Sequence, residues 1–278
     1  MSFTYSVKST SIFLFFFVFF GFFGFLLFNI KNVFYYIKLF HIMRIFENED
    51  KDVFIEKLEK NKYLLKIPYN KDTKQGSKRK IFWTNFPWRN IKIIKMSSSK
   101  EEIRDVVIQS ESIQTLSEFL TRRKFNIGYK LALQLFTDIG NQLKTLEQFN
   151  IYLGPLDLKD IVVIDEHFFI MEDTKNIAVF STKLRLQMNQ MKMIKKWQQN
   201  KFSAPEITNI KSLPVDIPIQ SSYYNIASLL VYSLFKKHID LKKDNTDEIL
   251  ENIKNTKLYW GIKRCLVAQP EERYFLII

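Results

Sequence analysis

The strongest feature of the hydrophobic pattern is at the N-terminus. Residues 9–30 carry no charged side chain, and 12–28 are almost entirely Phe, Leu, Val and Gly. Those 22 uncharged residues compare with the roughly 20 that a helix needs to cross ~30 Å of hydrocarbon. The run exceeds the roughly 7–15-residue apolar core of a signal peptide, and Asn29-Ile30-Lys31-Asn32 offers no small-residue cleavage pattern. The pattern therefore predicts a tail over 1–8, a transmembrane helix over 9–30 and a juxtamembrane segment over 31–40. Beyond it come short runs rich in Ile, Val and Tyr, at 53–57, 63–68, 91–96 and 106–109, which predict strands. Helical spacing follows at 116–122 and at 127–148, where Leu131, Leu135, Ile139, Leu143 and Leu146 recur every three or four residues. Residues 161–164 and 168–171, turning at Asp165-Glu166, read as a hairpin. A longer polar stretch reaches Pro205, and apolar helices are expected at 224–235 and 247–266. Strands followed by a mostly helical half predict an α+β protein of two lobes.

Charge sets the expected orientation. Only Lys8 precedes the apolar run, whereas Lys31, Lys38 and Arg44 follow it, and the cation-rich flank stays cytosolic. A single-pass membrane protein with its folded part facing the cytosol is the expectation. One cysteine, Cys265, and the absence of any Asn-x-Ser/Thr acceptor agree with a reducing compartment and exclude a disulfide-stapled module. The histidines, His41, His167 and His238, are too far apart in sequence to suggest a metal cluster. Lys and Arg exceed Asp and Glu by 42 to 29, a net charge of +13, which suits phosphate-rich or anionic partners without naming one. Seven glycines in 278 residues leave little material for a glycine-rich phosphate loop.

Taken in order, the elements resemble the eukaryotic protein kinase domain from about residue 41 to the C-terminus, with a small lobe over 41–109 and a large lobe over 110–278. Ala204-Pro205-Glu206, together with the segment from Cys265 through Pro270 to Arg273, is similar to the family's Ala-Pro-Glu motif and its late Pro-x-x-Arg segment. The resemblance implies an ion pair between Glu206 and Arg273 in the large lobe. Residues 106–120 look like the strand, hinge and short helix that line an adenine pocket, with Ile108 and Gln109 as the implied nucleotide contacts. Asp160 and Asp173, thirteen residues apart, match the two side chains that hold magnesium in the family. Lys66, closing the run Tyr63-Leu64-Leu65-Lys66, takes the phosphate-pairing position.

The same comparison exposes defects. Phosphoryl transfer needs a phosphate-cradling loop, a Lys fixed by a Glu, two metal ligands and a carboxylate facing the acceptor hydroxyl. The glycine positions read Phe46, Asn48 and Lys51, among Glu47, Glu49, Asp50 and Asp52, which crowd and repel phosphate. Between Lys60 and Lys100 the only acid is Asp72, so Lys66 lacks an evident helix partner. The base position reads Pro155, which cannot accept a proton, and Asp157 stands two positions too far along. Tyr223, Asn225 and Ser228 replace the usual Asp, Trp and Gly, while Thr174-Lys175 follow Asp173.

Packing positions are kept and chemistry positions have drifted, which predicts a membrane-anchored pseudokinase that binds a protein partner. Two alternatives stand beside it. One is a divergent kinase or ATP binder using Lys66, Asp160 and Asp173, with ATP and magnesium as its cofactors. The other is a basic module for anionic lipid, less so nucleic acid, built on Lys71, Lys74, Lys78, Arg79 and Lys80 with Trp83 and Trp88; a solvated loop before the next strand would account for the same residues.

Overall fold

A computed structural model describes residues 44–48, 51, 53–67, 74–99, 102–171, 177–179, 185–188 and 190–275. The expected membrane helix, its flanks and Asp173 lie outside the described residues. Among the described residues no helix is long and apolar enough to cross a membrane.

Five antiparallel strands come first: β1 (Arg44–Glu47), β2 (Phe54–Glu59), β3 (Lys62–Lys66), β4 (Ile93–Ser99) and β5 (Glu102–Gln109), in the order β1-β2-β3-β5-β4. Side chains alternate between the two faces of a strand. One face carries Val53, Ile55, Tyr63, Leu65, Ile67, Val106 and Ile108, all buried. The register pairs Phe54 with Lys66, Glu56 with Leu64 and Leu64 with Val107, and this second face is more open.

Between β3 and β4 lies a helix, α1 (Lys74–Thr84), where a solvated loop had been an option. Its end drives Phe82 and Trp83 into the core, edge to face at 5.1 Å between ring centroids. Phe86 continues this aromatic cluster, 4.6 Å from Trp88 and 5.5 Å from Phe169. Arg79 and Trp83, two of the residues expected to form a basic aromatic module, are buried, and Lys71 of that module lies outside the described residues.

The helical part begins with β6 (Ile113–Thr115) and α2 (Leu116–Arg122), the latter started by a capping box between Thr115 and Glu118. The long helix α3 (Gly128–Gln148) buries Leu135, Ile139, Leu143 and Leu146, the face that its sequence spacing predicts. Then come β7 (Ile151–Leu153), β8 (Ile161–Ile164), β9 (His167–Ile170), β10 (Ile177–Val179) and β11 (Arg185–Met188). Strands β8 and β9 form the expected hairpin, with Asp165 and Glu166 both in the left-handed region at φ 48° and 67°. β6 adds to the hairpin, and β7 pairs with β10.

The polar stretch before Pro205 contains a helix that its composition hid, α4 (Met191–Gln199), whose Ile194 and Trp197 face inward one turn apart. It is followed by α5 (Pro205–Thr208), β12 (Val215–Pro218), which pairs with β11, and α6 (Ser221–Phe235). α6 is buried around most of its circumference from Ser221 to Val231, as suits the central helix of a helical layer. The helix expected over 247–266 is broken into α7 (Thr246–Ile249), a turn at Glu251–Ile253 and α8 (Lys257–Cys265). Asn255 at φ 62° follows the turn, and Thr256 caps the second piece through Tyr259 N–H. The described chain is thus an α+β fold.

Candidate functional site

The loop between β7 and β8 is held from below by α6. Ser222 donates to the Leu153 carbonyl at 2.6 Å. Asn225 accepts from Leu156 N–H at 3.0 Å and donates to the Leu156 and Phe202 carbonyls at 3.2 Å. An amide in the middle of an apolar helix would be costly unpaired, and here every bond it makes goes to loop backbone. Pro155 therefore has a fixed place, with Asp157 two residues beyond it capping a short 3-10 turn over Leu158–Asp160.

Both carboxylates of this loop are committed to backbone. Asp157 accepts from Leu158 N–H at 2.6 Å, and buried Asp160 accepts from Asp157 N–H at 2.7 Å. A cleft of about 170 Å³ opens beside them, lined by Pro155, Asp157, Asp160, Lys196, Trp197 and Asn200. Among the described residues no three His, Cys, Asp or Glu side chains gather as a metal site. Asp160 is thus present at the loop, while its expected companion, Asp173, lies outside the described residues.

Helix α4 covers this loop. Trp197, 1% exposed, lies against Gly154, where a Cβ would fall 2.6 Å from the indole ring. The ring is also 5.7 Å from Tyr152, between centroids. Asn200 donates to the Pro155 carbonyl at 3.3 Å, and Ser203 donates to the Trp197 carbonyl. Gln198 reaches the carbonyl of Ile210 at 2.8 Å, and those of Ile207 and Thr208 at longer range. Nearby His238 is held below its ordinary pKa, first by burial and then by the charge of Lys201, with Asp157 opposing.

The expected nucleotide contacts are not brought together. Lys66 is exposed, its ammonium 5.9 Å from the Phe54 ring centroid, on the face turned away from the core. Ile108 pairs with Tyr63 and is fully buried on the opposite face, whereas Gln109 pairs with Lys62 on the Lys66 side. Strand parity makes Leu65 and Ile67 the inward residues and leaves Lys66 on the open face of the sheet. The turn before β2 is also occupied by its own bonds. Asn48 accepts through its side chain from Val53 N–H at 3.1 Å, and its carbonyl accepts from Lys51 N–H at 3.0 Å. Lys51 takes φ 60°, a conformation that favours glycine.

Glu206 and Arg273 do meet. The guanidinium grips both carboxylate oxygens, at 2.6 and 3.1 Å, and also donates to the carbonyls of Val267 and Ala268. Ser221 adds a bond to Glu206 at 2.6 Å, and Tyr224 lies under the guanidinium, 5.1 Å from ring centroid to Cζ.

Four contributors carry little signal in the sequence. Asn225 was noted only as a replacement, although an amide among Tyr, Ile, Ala and Leu signals a buried partner. Trp197 and Asn200 belong to a stretch whose composition is mostly polar. Gln142 of α3, which donates to Phe168 O at 2.9 Å and accepts from Ile170 N–H at 3.0 Å, acts as a strand partner for β9. No protein-family model matches this sequence, and no curated protein matches it.

Proposed function

We propose that residues 41–278 form a degenerate kinase-like domain, tethered to a membrane by residues 9–30 with the domain in the cytosol, that binds a protein partner and transfers no phosphate. The observation that carries this reading is the loop from Leu153 to Asp160. α6 pins its backbone through Ser222 and Asn225, the residue at the base position is Pro155, and Trp197 covers it. A five-stranded sheet, a hinge-like strand leading into α2, the β7–β10 and β8–β9 pairings and the Glu206–Arg273 pair follow one another in the order the resemblance implies. Lys66 faces solvent, and the β1–β2 turn uses its N–H groups internally, so neither supports phosphate binding.

The test is a thermal-shift titration of the full chain in detergent with ATP and magnesium, paired with a radiolabelled phosphotransfer assay. A ligand at a hundredfold excess over Kd stabilises by about 2.7 kcal/mol. The expected result is no phosphotransfer by the parent chain and no change in Lys66→Ala. Phosphotransfer that Asp157→Asn abolishes would overturn the reading and make Asp157 the base.

A further inference from the structure

The covering segment has a charge pattern that its packing role does not require. From Thr174 to Pro205 there are 32 residues without a single Asp or Glu, and seven of them are Lys or Arg. Within this run α4 turns Ile194 and Trp197 inward and leaves Lys192 and Lys195, one turn apart, exposed on its outer face. Exposed Lys201 follows the helix, and exposed Lys159 and half-buried Lys196 flank the cleft beneath it. Among the described residues no carboxylate is ion-paired with Lys159, Lys192, Lys195 or Lys201, whereas Lys62, Lys144, Lys237, Lys243, Lys254 and Lys263 each have one. The carboxylates closest by lining are Asp157 and Asp160, both already bonded to backbone. Glu206, which ends the acid-free run, is neutralised by Arg273.

We infer that the outer face of α4, with Lys159 and Lys201, is a docking surface for an acidic segment of a partner protein. This deepens the binding-module reading and rests on it. Unpaired cations of one sign on one surface set up a field that selects and orients a chain of opposite sign. The surface is also preorganised: Gln198, Asn200 and Ser203 tie the C-terminal end of the helix to backbone, so less ordering is left to be done on binding. The chemistry favours an acidic peptide over the two other polyanions. Nucleic-acid strands are held on exposed aromatic platforms, and the one aromatic of α4, Trp197, is buried. Bilayers take up an exposed apolar face, and the large apolar side chains that are exposed, such as Leu58, Tyr129, Phe149 and Trp260, all lie outside α4.

The experiment titrates the full chain, in nonionic detergent, into a fluorescein-labelled peptide of twelve Glu and Asp residues and follows anisotropy. Parallel titrations use a poly-Lys peptide of equal length, a single-stranded oligonucleotide and phosphatidylserine vesicles. Lys192→Glu with Lys195→Glu should weaken acidic-peptide binding by tenfold or more, and raising the salt toward 1 M, where screening acts within about 3 Å, should weaken it in the parent. Lys92→Glu with Lys95→Glu, the same charge change at the start of β4, should leave it within twofold. Equal loss in both pairs, no binding of the acidic peptide, or tighter binding of the oligonucleotide or the vesicles would overturn the inference. Both residues of the α4 pair are exposed, and unchanged melting temperatures show that the variants fold. Phosphotransfer measured on the same samples separates the two readings. Absent binding with absent phosphotransfer defeats only the docking surface, whereas phosphotransfer defeats the pseudokinase itself.

Discussion

Replacing Arg273 with Ala removes the most heavily bonded charge in the described fold. The Arg273 side chain is fully buried, and Glu206 keeps 20% of its surface exposed. The substitution deletes two bonds to the carboxylate and two to the carbonyls of Val267 and Ala268, leaving Glu206 with Ser221 alone among these partners. Breaking a buried pair from one side costs about 3–5 kcal/mol, because the surviving charge stays buried without compensation. For a domain of this size each kcal/mol moves the melting temperature by roughly 2–4 °C, so a fall of roughly 6–20 °C is expected. Thermal melts of the full chain, followed by tryptophan fluorescence, measure the shift, and urea melts give the free energy. Glu206→Ala and the double variant complete a thermodynamic cycle, in which contacting residues couple by about 0.5–3 kcal/mol. The double variant should therefore lose less than the sum of the single ones. An Arg273→Ala midpoint within about 1 kcal/mol of the parent, or strict additivity, would refute the reasoning.

Gly154→Ala should destabilise by about 1–3 kcal/mol, because its Cβ would fall 2.6 Å from the Trp197 ring and force α4 outward; a red shift of tryptophan emission reports the displacement. Burial pushes the Cys265 thiol up to about 12, so a thiol reagent at neutral pH should label the chain only as fast as it opens, and faster in Arg273→Ala. Asp138 is raised above the usual carboxylate range, chiefly by burial, with bonds from Phe168 N–H and Gln134 opposing. The folded chain then holds that proton at a pH where the unfolded chain has released it, so stability is greatest below the unfolded value, about 4, and falls as pH rises through the raised one. Asp138→Asn should flatten the corresponding slope in urea midpoints taken from pH 4 to 7, and an unchanged slope would contradict the assignment.

Local patterns announced much of this chain, because a local pattern encodes what one segment needs. Leu135, Ile139, Leu143 and Leu146 recur at helical spacing whatever they pack against, and they are the buried face of α3. The 161–170 hairpin and the bounds of α2 are equally local, set by alternation around a turn and by a capping box. Ala204-Pro205-Glu206 and Arg273 are legible as a pair only through the resemblance to a family's order of motifs. α1 and α4 escaped notice because a helix that buries two aromatic or apolar residues against a large neighbour needs few of them, and so reads as polar. Whether Lys66 faced the core or the solvent turned on a shift of one residue, and parity along a strand is fixed only when the neighbouring register decides which side is covered. The uncharged run over 9–30, the net positive charge and the proline at position 155 are read from the sequence alone. That Asn225 holds a loop 69 residues away, and that Trp197 needs a glycine at 154, was decided by the tertiary structure, since residues so far apart in the chain acquire a common chemistry only when packing closes the distance between them.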